Sequence, residues 1–467
     1  MVKAQHFDVI WIGTGQATLT VVPRLAAAGK SVAIIESGKF GGTCVNHGCT
    51  PTKTLVASAY AVHMARRGAD FGFSVDGLKV DFAKVMKTQQ VNRQKSSAGI
   101  EGSLKRLGTV IRGHARFVND RTLEVGGEQL TADTIVIHTG TSPSIPSVTG
   151  LDKIDYLTNE NLLDLTELPP HLVIVGGSYI ALEFAQIFRR LGSDVTVLER
   201  GERLVAREDD DVSQIVSDVM RVDGIQVTCN SQVKQVGERD GGVDVHYEVN
   251  EEVRVLSASH ILFATGRVPN GKSLNPAAAG LKVSSRGHIE VNDFVQTNVP
   301  HIYALGDVNG RGAFTHTSVN DGEIFWDHYA RVNGLSSDSP ELDRSIADRN
   351  LIYSMFIDPP LARVGLNEAQ ARASGRNVLM AVSPMSRIAR AREKRETNGL
   401  VKILVDADTE QVLGATIFGT GGDEVIGAFA VLMQAGLSWK QFRRVVFPHP
   451  TVSELMPWIM DGLKPLV

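Results

Sequence analysis

Apolar runs that stop at glycine set the first pattern along the chain. Phe7-Asp8-Val9-Ile10-Trp11-Ile12 enters Gly13-Thr14-Gly15. A helix is predicted over residues 19–28, and after Gly29-Lys30 a second run, Ser31-Val32-Ala33-Ile34-Ile35-Glu36, ends on a carboxylate. The same order returns later. Leu172-Val173-Ile174-Val175 enters Gly176-Gly177-Ser178, a helix is predicted over 180–191, and Val195-Thr196-Val197-Leu198-Glu199 closes the unit. In both copies the first glycine and the closing glutamate lie 23 residues apart, Gly13 to Glu36 and Gly176 to Glu199. Strand, glycine turn, helix, strand is the βαβ unit of a dinucleotide site. Strands that are apolar on both faces belong to a parallel sheet covered on both sides.

The turn has a specific physical use. Its first glycine permits the tight bend, and its second lets the backbone approach a diphosphate at a helix N-terminus, where unpaired N–H groups favour negative charge. The closing carboxylate can accept hydrogen bonds from ribose hydroxyls. Neither copy has the full glycine set: Thr18 stands at the third place of the first, and Ser178 and Ala181 at the second and third places of the second. One such turn alone is a weak signal. Two with identical spacing point to two dinucleotides, a flavin and a nicotinamide.

Other runs set the boundaries. Thr134-Ile135-Val136-Ile137-His138-Thr139-Gly140 reads as a strand ending in Thr-Gly, and residues 141–146, with Pro143 and Pro146, as a linker. Ile261-Leu262-Phe263-Ala264-Thr265-Gly266 repeats that strand ending, and Ile302-Tyr303-Ala304-Leu305-Gly306-Asp307 follows. From about Leu351 the pattern changes to alternating strands, such as Val401-Lys402-Ile403-Leu404-Val405, with a helix near 424–435. The basic run over 387–395 reads as a solvated turn between strands. The expected architecture is α/β: two Rossmann-like dinucleotide-binding domains and a C-terminal α+β domain. Residues 1–146 form the first, 147–268 the second, 269–345 a central segment completing the first site, and 346–467 the C-terminal domain.

Composition narrows the class. The 467 residues carry a formal charge of −4, which argues against a globally basic nucleic-acid binder. With 43% hydrophobic and 21% charged residues the chain is globular rather than disordered. No apolar run approaches the ~18–20 residues that span a bilayer. The start, Met1-Val2-Lys3-Ala4-Gln5-His6, lacks a cleavable leader pattern, so a cytoplasmic location is expected. Three cysteines, Cys44, Cys49 and Cys229, exclude a disulfide-scaffolded secreted protein. In a reducing compartment two cysteines five apart point to catalysis or metal binding. Cys229 is expected to be a buried structural thiol.

The closely spaced pair lies in Gly41-Gly42-Thr43-Cys44-Val45-Asn46-His47-Gly48-Cys49-Thr50-Pro51-Thr52-Lys53, just after the first closing glutamate. Pro51 suits the first turn of a helix. That helix N-terminus would favour the Cys49 thiolate. Gly-Gly-Thr-Cys-x4-Cys-x-Pro-x-Lys resembles the redox-active site of the class I pyridine nucleotide–disulfide oxidoreductases, which include glutathione reductase, dihydrolipoamide dehydrogenase and mercuric reductase. The resemblance covers essentially the whole chain: both dinucleotide turns, both Thr-Gly strand ends, Gly306-Asp307, and Phe447-Pro448-His449-Pro450-Thr451 with Ser453-Glu454. Pro51-Thr52-Lys53-Thr54-Leu55-Val56-Ala57-Ser58-Ala59 resembles the mercuric-reductase-like branch most, and Phe314-Thr315-His316-Thr317-Ser318 resembles flavoproteins of that branch linked to reactive-chlorine resistance.

The resemblance implies roles. Gly13, Gly15 and Glu36 would hold the ADP half of FAD, and Asp307 its ribityl chain. Gly42, Thr43, Lys53, Ala115, Thr139, Gly140 and Gly306 would complete that site. Cys49 would lie against the flavin and form the charge-transfer thiolate on reduction, and Cys44 would exchange with substrate. Lys53 and Glu183 would form an ion pair beside the flavin. Gly176, Gly177, Tyr179, Glu199, Arg200 and Gly266 would serve the nicotinamide dinucleotide, with Tyr179 as a gate. His449, oriented by Glu454, would be the acid/base, reaching the site from the other subunit of an obligate homodimer whose interface the C-terminal domain supplies. Thiol exchange needs a thiolate attacker and a protonated leaving group, and a histidine near neutrality supplies that switch.

The nicotinamide and the acceptor are less marked. Glu199 accepts the ribose diol of NADH and repels a 2′-phosphate, while Arg200, Arg203 and Arg207 could pair with one. NADH is favoured over NADPH. No cysteine occurs between Trp458 and Val467, where mercuric reductases carry a metal-delivering pair, so efficient mercury reduction is not expected. His47 stands where the family has a small apolar residue, which opens a minor metal-ligand reading with Cys44 and Cys49; no resident metal is expected. Pro360 replaces a common family glutamate without an evident consequence. The leading reading is an FAD-dependent NAD(P)H oxidoreductase passing electrons through Cys44 and Cys49 to a disulfide, a metal ion or another small oxidant, with no nucleic-acid or membrane partner. Dihydrolipoamide dehydrogenase is the enzymatic alternative. A redox-sensing or metal-binding flavoprotein with little turnover is the alternative of another class.

Overall fold

The computed structural model describes residues 4–335 and 344–466. Met1–Lys3, on which the leader reading begins, and Val467, the last residue of the cysteine-free stretch, lie outside them, as do residues 336–343 next to the expected boundary at 345. Among the described residues, the first sheet runs in the order Thr109–Arg112, Val32–Glu36, Gln5–Ile12, Glu128–Ile137, Thr122–Val125, Ala115–Phe117. Its parallel core is set by Val9 opposite both Val32 and Thr134. Ile302–Ala304 adds in parallel beside Glu128–Ile137, so the central segment returns to the sheet that the N-terminal residues began.

The second sheet is parallel throughout: Gln226–Thr228, Asp194–Leu198, His171–Val175, His260–Phe263. Residues 141–146 are not simply a linker. Thr141–Pro143 forms an antiparallel ribbon with Arg267–Pro269, Pro143 opposite Arg267, and Ser144 N–H donates to the Gly266 carbonyl at 2.9 Å. The chain thus leaves the first sheet for the second and comes back at one place.

Departures from the full glycine pattern have a packing reason. Thr18 accepts the indole N–H of fully buried Trp11 at 2.8 Å, and Trp11 meets Phe325 edge-on, with ring centroids 5.9 Å apart. A glycine there would leave a buried donor unpaired. The first helix spans Gln16–Ala27, three residues earlier than the apolar pattern signals, because the dinucleotide turn feeds straight into it.

The C-terminal sheet is antiparallel, in the order Ile352–Met355, Leu361–Gly365, Val412–Phe418, Leu400–Asp406, Val378–Pro384, Lys464–Pro465. The alternation read around Lys402 misleads: Leu400–Asp406 is buried at every position. Lys402 is 1% exposed, and its ammonium donates to Asp209 at 3.0 Å, to Asp211 at 2.8 Å, and to Glu368. Burial pulls the Lys402 pKa down, but the hydrogen bonds and charges of the three carboxylates outweigh it and the net shift is upward. This cage ties the unit bearing the second sheet to the C-terminal domain. Arg190 does the same job nearby, reaching Asp223 at 2.8 Å and Asp358 at 2.7 Å. The basic run over 387–395 is mostly two short helical turns, Met385–Arg387 and Ala389–Glu393, with Arg387, Arg390, Arg392 and Arg395 exposed.

Candidate active site

A cavity of about 1320 Å³ opens between these units. Gly13, Gly15, Glu36, Gly42, Thr43, Cys44, Cys49, Lys53, Ala115, Thr139, Gly140, Tyr179, Glu183 and Asp307 all line it. Residues from separated stretches of chain, from Gly13 to Asp307, therefore line one cavity. Its shape and chemistry suit a flavin dinucleotide. Gly13 has φ +96°, and a Cβ there would stand 2.3 Å from the His138 carbonyl oxygen, so only glycine lets the turn close. Neither turn helix, Gln16–Ala27 or Tyr179–Leu191, has a side-chain cap or an acidic residue in its first turn, which leaves the N–H groups for phosphate. Glu36 is fixed by the Thr14 amide at 2.9 Å, the Thr14 hydroxyl at 2.6 Å and the Gly38 amide at 2.8 Å. The Thr139 hydroxyl lines the cavity, buried and without a protein partner.

The cysteines sit where two helices meet. Cys44 is on the short helix Gly42–Asn46, and Cys49 opens Cys49–Arg66. Buried Asn46 holds the loop between them, donating to the Phe40 carbonyl at 2.9 Å and the Gly42 carbonyl at 3.0 Å. Both thiols are free. The hydrogen bond from Cys44 is the largest cause that pulls the Cys49 pKa down, to about 6. Burial opposes it, and the Thr315 hydroxyl and Lys53 ammonium add to the lowering. Cys44 moves strongly the other way, because it donates to Cys49 and is buried. One thiol is thus poised as a thiolate and the other is held protonated.

Lys53 Nζ lies 2.7 Å from Glu183 Oε2. Glu183 is only 3% exposed, and its other oxygen accepts the Phe356 amide at 2.8 Å. The Phe356 ring faces Lys53 at 4.7 Å. Three neighbours of the site had no role assigned from the sequence. Thr315 reaches Cys49 Sγ at 3.2 Å. Phe314 packs on Tyr179 at 5.9 Å and stacks between His316 at 5.4 Å and Tyr353 at 5.3 Å. Arg267 donates to the Thr141 hydroxyl at 2.7 Å and to Thr43 at 3.3 Å. Phe314 and Thr315 stand in the segment 314–318 that the resemblance singles out without assigning them a role; Phe314 precedes and Thr315 opens the helix Thr315–Val332, and Arg267 follows the second Thr-Gly.

Gly176, Gly177, Glu199, Arg200 and Gly266 lie outside the wall of that cavity, around the second turn. Glu199 Oε1 accepts the Gly201 amide at 2.5 Å, and a Cβ on Gly177 would come within 2.8 Å of its other oxygen. Arg203 is paired with Asp210 and donates to the Ala206 and Glu208 carbonyls at 3.3 Å. Cys229 is half-buried rather than buried, just past the strand end at Thr228. Burial first, then the Glu199 carboxylate, raises its pKa.

His449 Nδ1 lies 2.8 Å from Glu454 Oε2, but the histidine is 77% exposed and does not line the cavity of its own chain. His47 Nδ1 is buried without a partner in the cavity wall, while its carbonyl accepts from Asn159 at 2.8 Å. Among the described residues, the carboxylate and imidazole groups close enough to share a metal ion are Asp209, Asp211 and Glu368, with the Lys402 ammonium in their midst. His47 does not join Cys44 and Cys49 in such a group.

Residues 7–322 match the family described as pyridine nucleotide-disulphide oxidoreductase, and residues 352–460 match its dimerisation domain. The chain is 34% identical to a probable pyridine nucleotide-disulfide oxidoreductase, RclA, of Escherichia coli, over 98% of this chain and 99% of that one. It is 34% identical to a mercuric reductase of Bacillus cereus, over 96% of this chain and 70% of the relative, and 29% identical to a dihydrolipoyl dehydrogenase of Geobacillus stearothermophilus over 96% and 94%. Among solved structures, the Cu(II) complex of the HOCl-induced flavoprotein disulfide reductase RclA from E. coli superposes with a TM-score of 0.86 at 34% identity, over 98% of this chain and 99% of that chain. No described helix is long and apolar enough to cross a membrane.

Proposed function

The chain belongs to the pyridine nucleotide-disulphide oxidoreductase family, and from that membership we propose that it oxidises NADH and delivers the electrons through Cys49 and Cys44 to a thiophilic metal ion or a comparably compact oxidant. It is an FAD-dependent NAD(P)H oxidoreductase of the branch that holds mercuric reductases and RclA. Bound FAD supplies the hydride acceptor and the conduit for two electrons to the cysteine pair. The observation that carries the reading is the facing pair at the cavity wall, with Cys49 at a helix N-terminus beside the Lys53–Glu183 ion pair.

The division of labour follows from the two thiols. Cys49, with its depressed pKa, is the thiolate that stays against the flavin side. Cys44, held protonated, is the thiol that meets the acceptor and needs a base to do so. We assign that base to His449, oriented by Glu454 and contributed across a homodimer interface, since in its own chain the imidazole faces solvent. Residues 1–146 and 269–345 serve the flavin, 147–268 the nicotinamide, and 346–467 the interface. A pathway fed by NADH and working through reduced thiols fits the cytoplasm.

The NADH preference rests on Glu199, whose carboxylate stands beside the second glycine turn at Gly177, and on Arg203 being paired with Asp210. We expect kcat/KM for NADH to exceed that for NADPH by more than tenfold, and Glu199→Ala to narrow the gap. A wild-type preference for NADPH would refute this part. The acceptor is tested by anaerobic NADH reduction followed by Cu(II), Hg(II) and lipoamide. Turnover with Cu(II), weak turnover with Hg(II) and slow turnover with lipoamide are expected; rapid lipoamide turnover would restore the dehydrogenase alternative.

The thiolate can be titrated directly. The 240 nm absorbance of reduced wild type minus reduced Cys49→Ser should rise with pH around a midpoint of about 6, since the thiolate forms above its pKa and is lost below it. Cys44→Ala removes the largest cause of the shift and should move the midpoint toward the ordinary thiol value of about 8.5. A wild-type midpoint already at that value would contradict the assignment.

A further inference from the structure

We propose that His138 is a positioning residue of the flavin site, a neutral imidazole strut that holds the Gly13–Gly15 turn and the Gly306–Asp307 turn at the separation FAD requires. Both turns line or border the cavity, and one ring fills the space between them. A Cβ on Gly15 would lie 2.6 Å from His138 Nε2, and a Cβ on Gly306 would lie 3.0 Å from Cε1. The glycines are therefore places where backbone rests directly on the imidazole. The ring is 6% exposed, and Trp11 meets it edge-on at 6.1 Å.

Both ring nitrogens are engaged, and the partners fix the tautomer. Nδ1 faces the Leu305 carbonyl at 2.9 Å. A carbonyl only accepts, so Nδ1 carries the proton and Nε2 is left with a lone pair. The Ser318 hydroxyl, 3.4 Å from Nε2, donates to it. Leu305 precedes the Gly306–Asp307 turn, and Ser318 lies in the first turn of Thr315–Val332. His138 directly follows the strand Glu128–Ile137 that runs beside the first dinucleotide strand, with its amide donating to the Ile12 carbonyl at 2.7 Å. The imidazole thus joins three pieces of chain, each of which contributes to the cavity wall.

An internal comparison isolates what the ring adds. The second nucleotide unit has the same strand ending, and there Ala264 stands where His138 stands in the first. That turn packs as tightly, since a Cβ on Gly176 would meet the Ala264 carbonyl oxygen at 2.5 Å, just as one on Gly13 would meet the His138 carbonyl. Closing the turn needs only the backbone. The imidazole side chain is an addition to the flavin half alone, where a second turn, from residues 305–307, must be registered against the first. Burial pushes the His138 pKa down, against the Leu305 hydrogen bond and the charges of Asp321, Asp307 and Glu36. That direction favours the neutral ring, in which Nε2 keeps its acceptor lone pair.

The test is FAD affinity of the apoprotein, followed by quenching of flavin fluorescence, in full-length chain. His138→Phe keeps a ring but loses both hydrogen bonds. His138→Asn puts an amide N–H at the position of Nδ1 and keeps the Leu305 bond. We expect His138→Phe to raise the FAD dissociation constant about tenfold or more, on the scale of buried polar groups left unpaired. His138→Asn should recover most of that loss. Should H138F not fold, Ser318→Ala, which removes the donor to Nε2, should weaken FAD binding by about threefold. Wild-type affinity in H138F or in Ser318→Ala would overturn the proposal, and so would equal weakening by Phe and Asn, which would assign the effect to packing. The inference rests on FAD occupying the cavity. A wild-type apoprotein that bound no FAD would remove that premise, whereas tight binding by every variant would remove the inference alone.

Discussion

Cys49→Ser is expected to abolish acceptor turnover, by on the order of 10⁴-fold or more, the scale on which enzymes lose activity with their nucleophile. Flavin reduction by NADH should survive, because the Lys53–Glu183 pair and both dinucleotide turns are untouched. The serine hydroxyl cannot form the thiolate that the Cys44 thiol, Thr315 and Lys53 together stabilise at this position. Cys44→Ser should stop turnover too, but with a different signature. The serine hydroxyl can still donate to Cys49 and keep the thiolate that Cys44→Ala loses, so a long-wavelength absorption band should be present in resting Cys44→Ser and absent from Cys49→Ser at every stage of an anaerobic NADH titration. A band that persists in Cys49→Ser would reverse the assignment of the two sulfurs.

The second large effect lies far from the sulfur chemistry. Replacing Lys402 by Met should cost about 3–5 kcal/mol of stability, the range found when one partner of a buried ion cluster is removed. The ammonium is 1% exposed and answers Asp209, Asp211 and Glu368 at once, so its loss leaves three carboxylates facing one another. The midpoint of guanidinium unfolding should fall, and adding Glu368→Gln to the variant should recover part of the loss. In Lys402→Ala the vacated space is framed by three oxygens that can converge on one cation. Mn²⁺ or Ca²⁺ should therefore raise the melting temperature of Lys402→Ala and leave wild type unchanged. A Lys402→Met protein as stable as wild type would show that the cage contributes nothing.

These two sites differ in how far they could be read from the chain. The cysteine motif is local: Gly42 to Lys53 carry their own turn, helix start and spacing, and the structure gathers them at the cavity as expected. Both dinucleotide units were equally legible, because strands covered on two faces must be apolar throughout and the turn must be glycine. Lys402 was not. A lysine between valine and isoleucine reads as one polar face of a half-exposed strand, and its burial depends on carboxylates brought from residues 209, 211 and 368. Thr315 was missed for the same reason: it lies 266 residues from Cys49, and no periodicity reports a contact made by chain return. Thr18 shows the opposite error. It reads as a defect in a glycine motif, yet it satisfies Trp11. Residues 141–146 read as a loop because prolines punctuate them, although Pro143 sits comfortably at the end of a two-stranded ribbon.

That ribbon makes the nicotinamide-side unit a detachable module. Its entry and exit strands are zipped to each other, Thr141 opposite Pro269 and Pro143 opposite Arg267, so the chain enters and leaves the stretch from 144 to 266 by one stem. Grafting a homologous unit with different coenzyme selectivity onto the same stem would leave the flavin-side sheet uninterrupted, provided the graft kept Asp209 and Asp211 for Lys402, Arg190 for Asp358 and Glu183 for Lys53. Exchange of electron donor is then separable from exchange of electron acceptor, which gives a lineage built on this plan a way to diversify one while conserving the other.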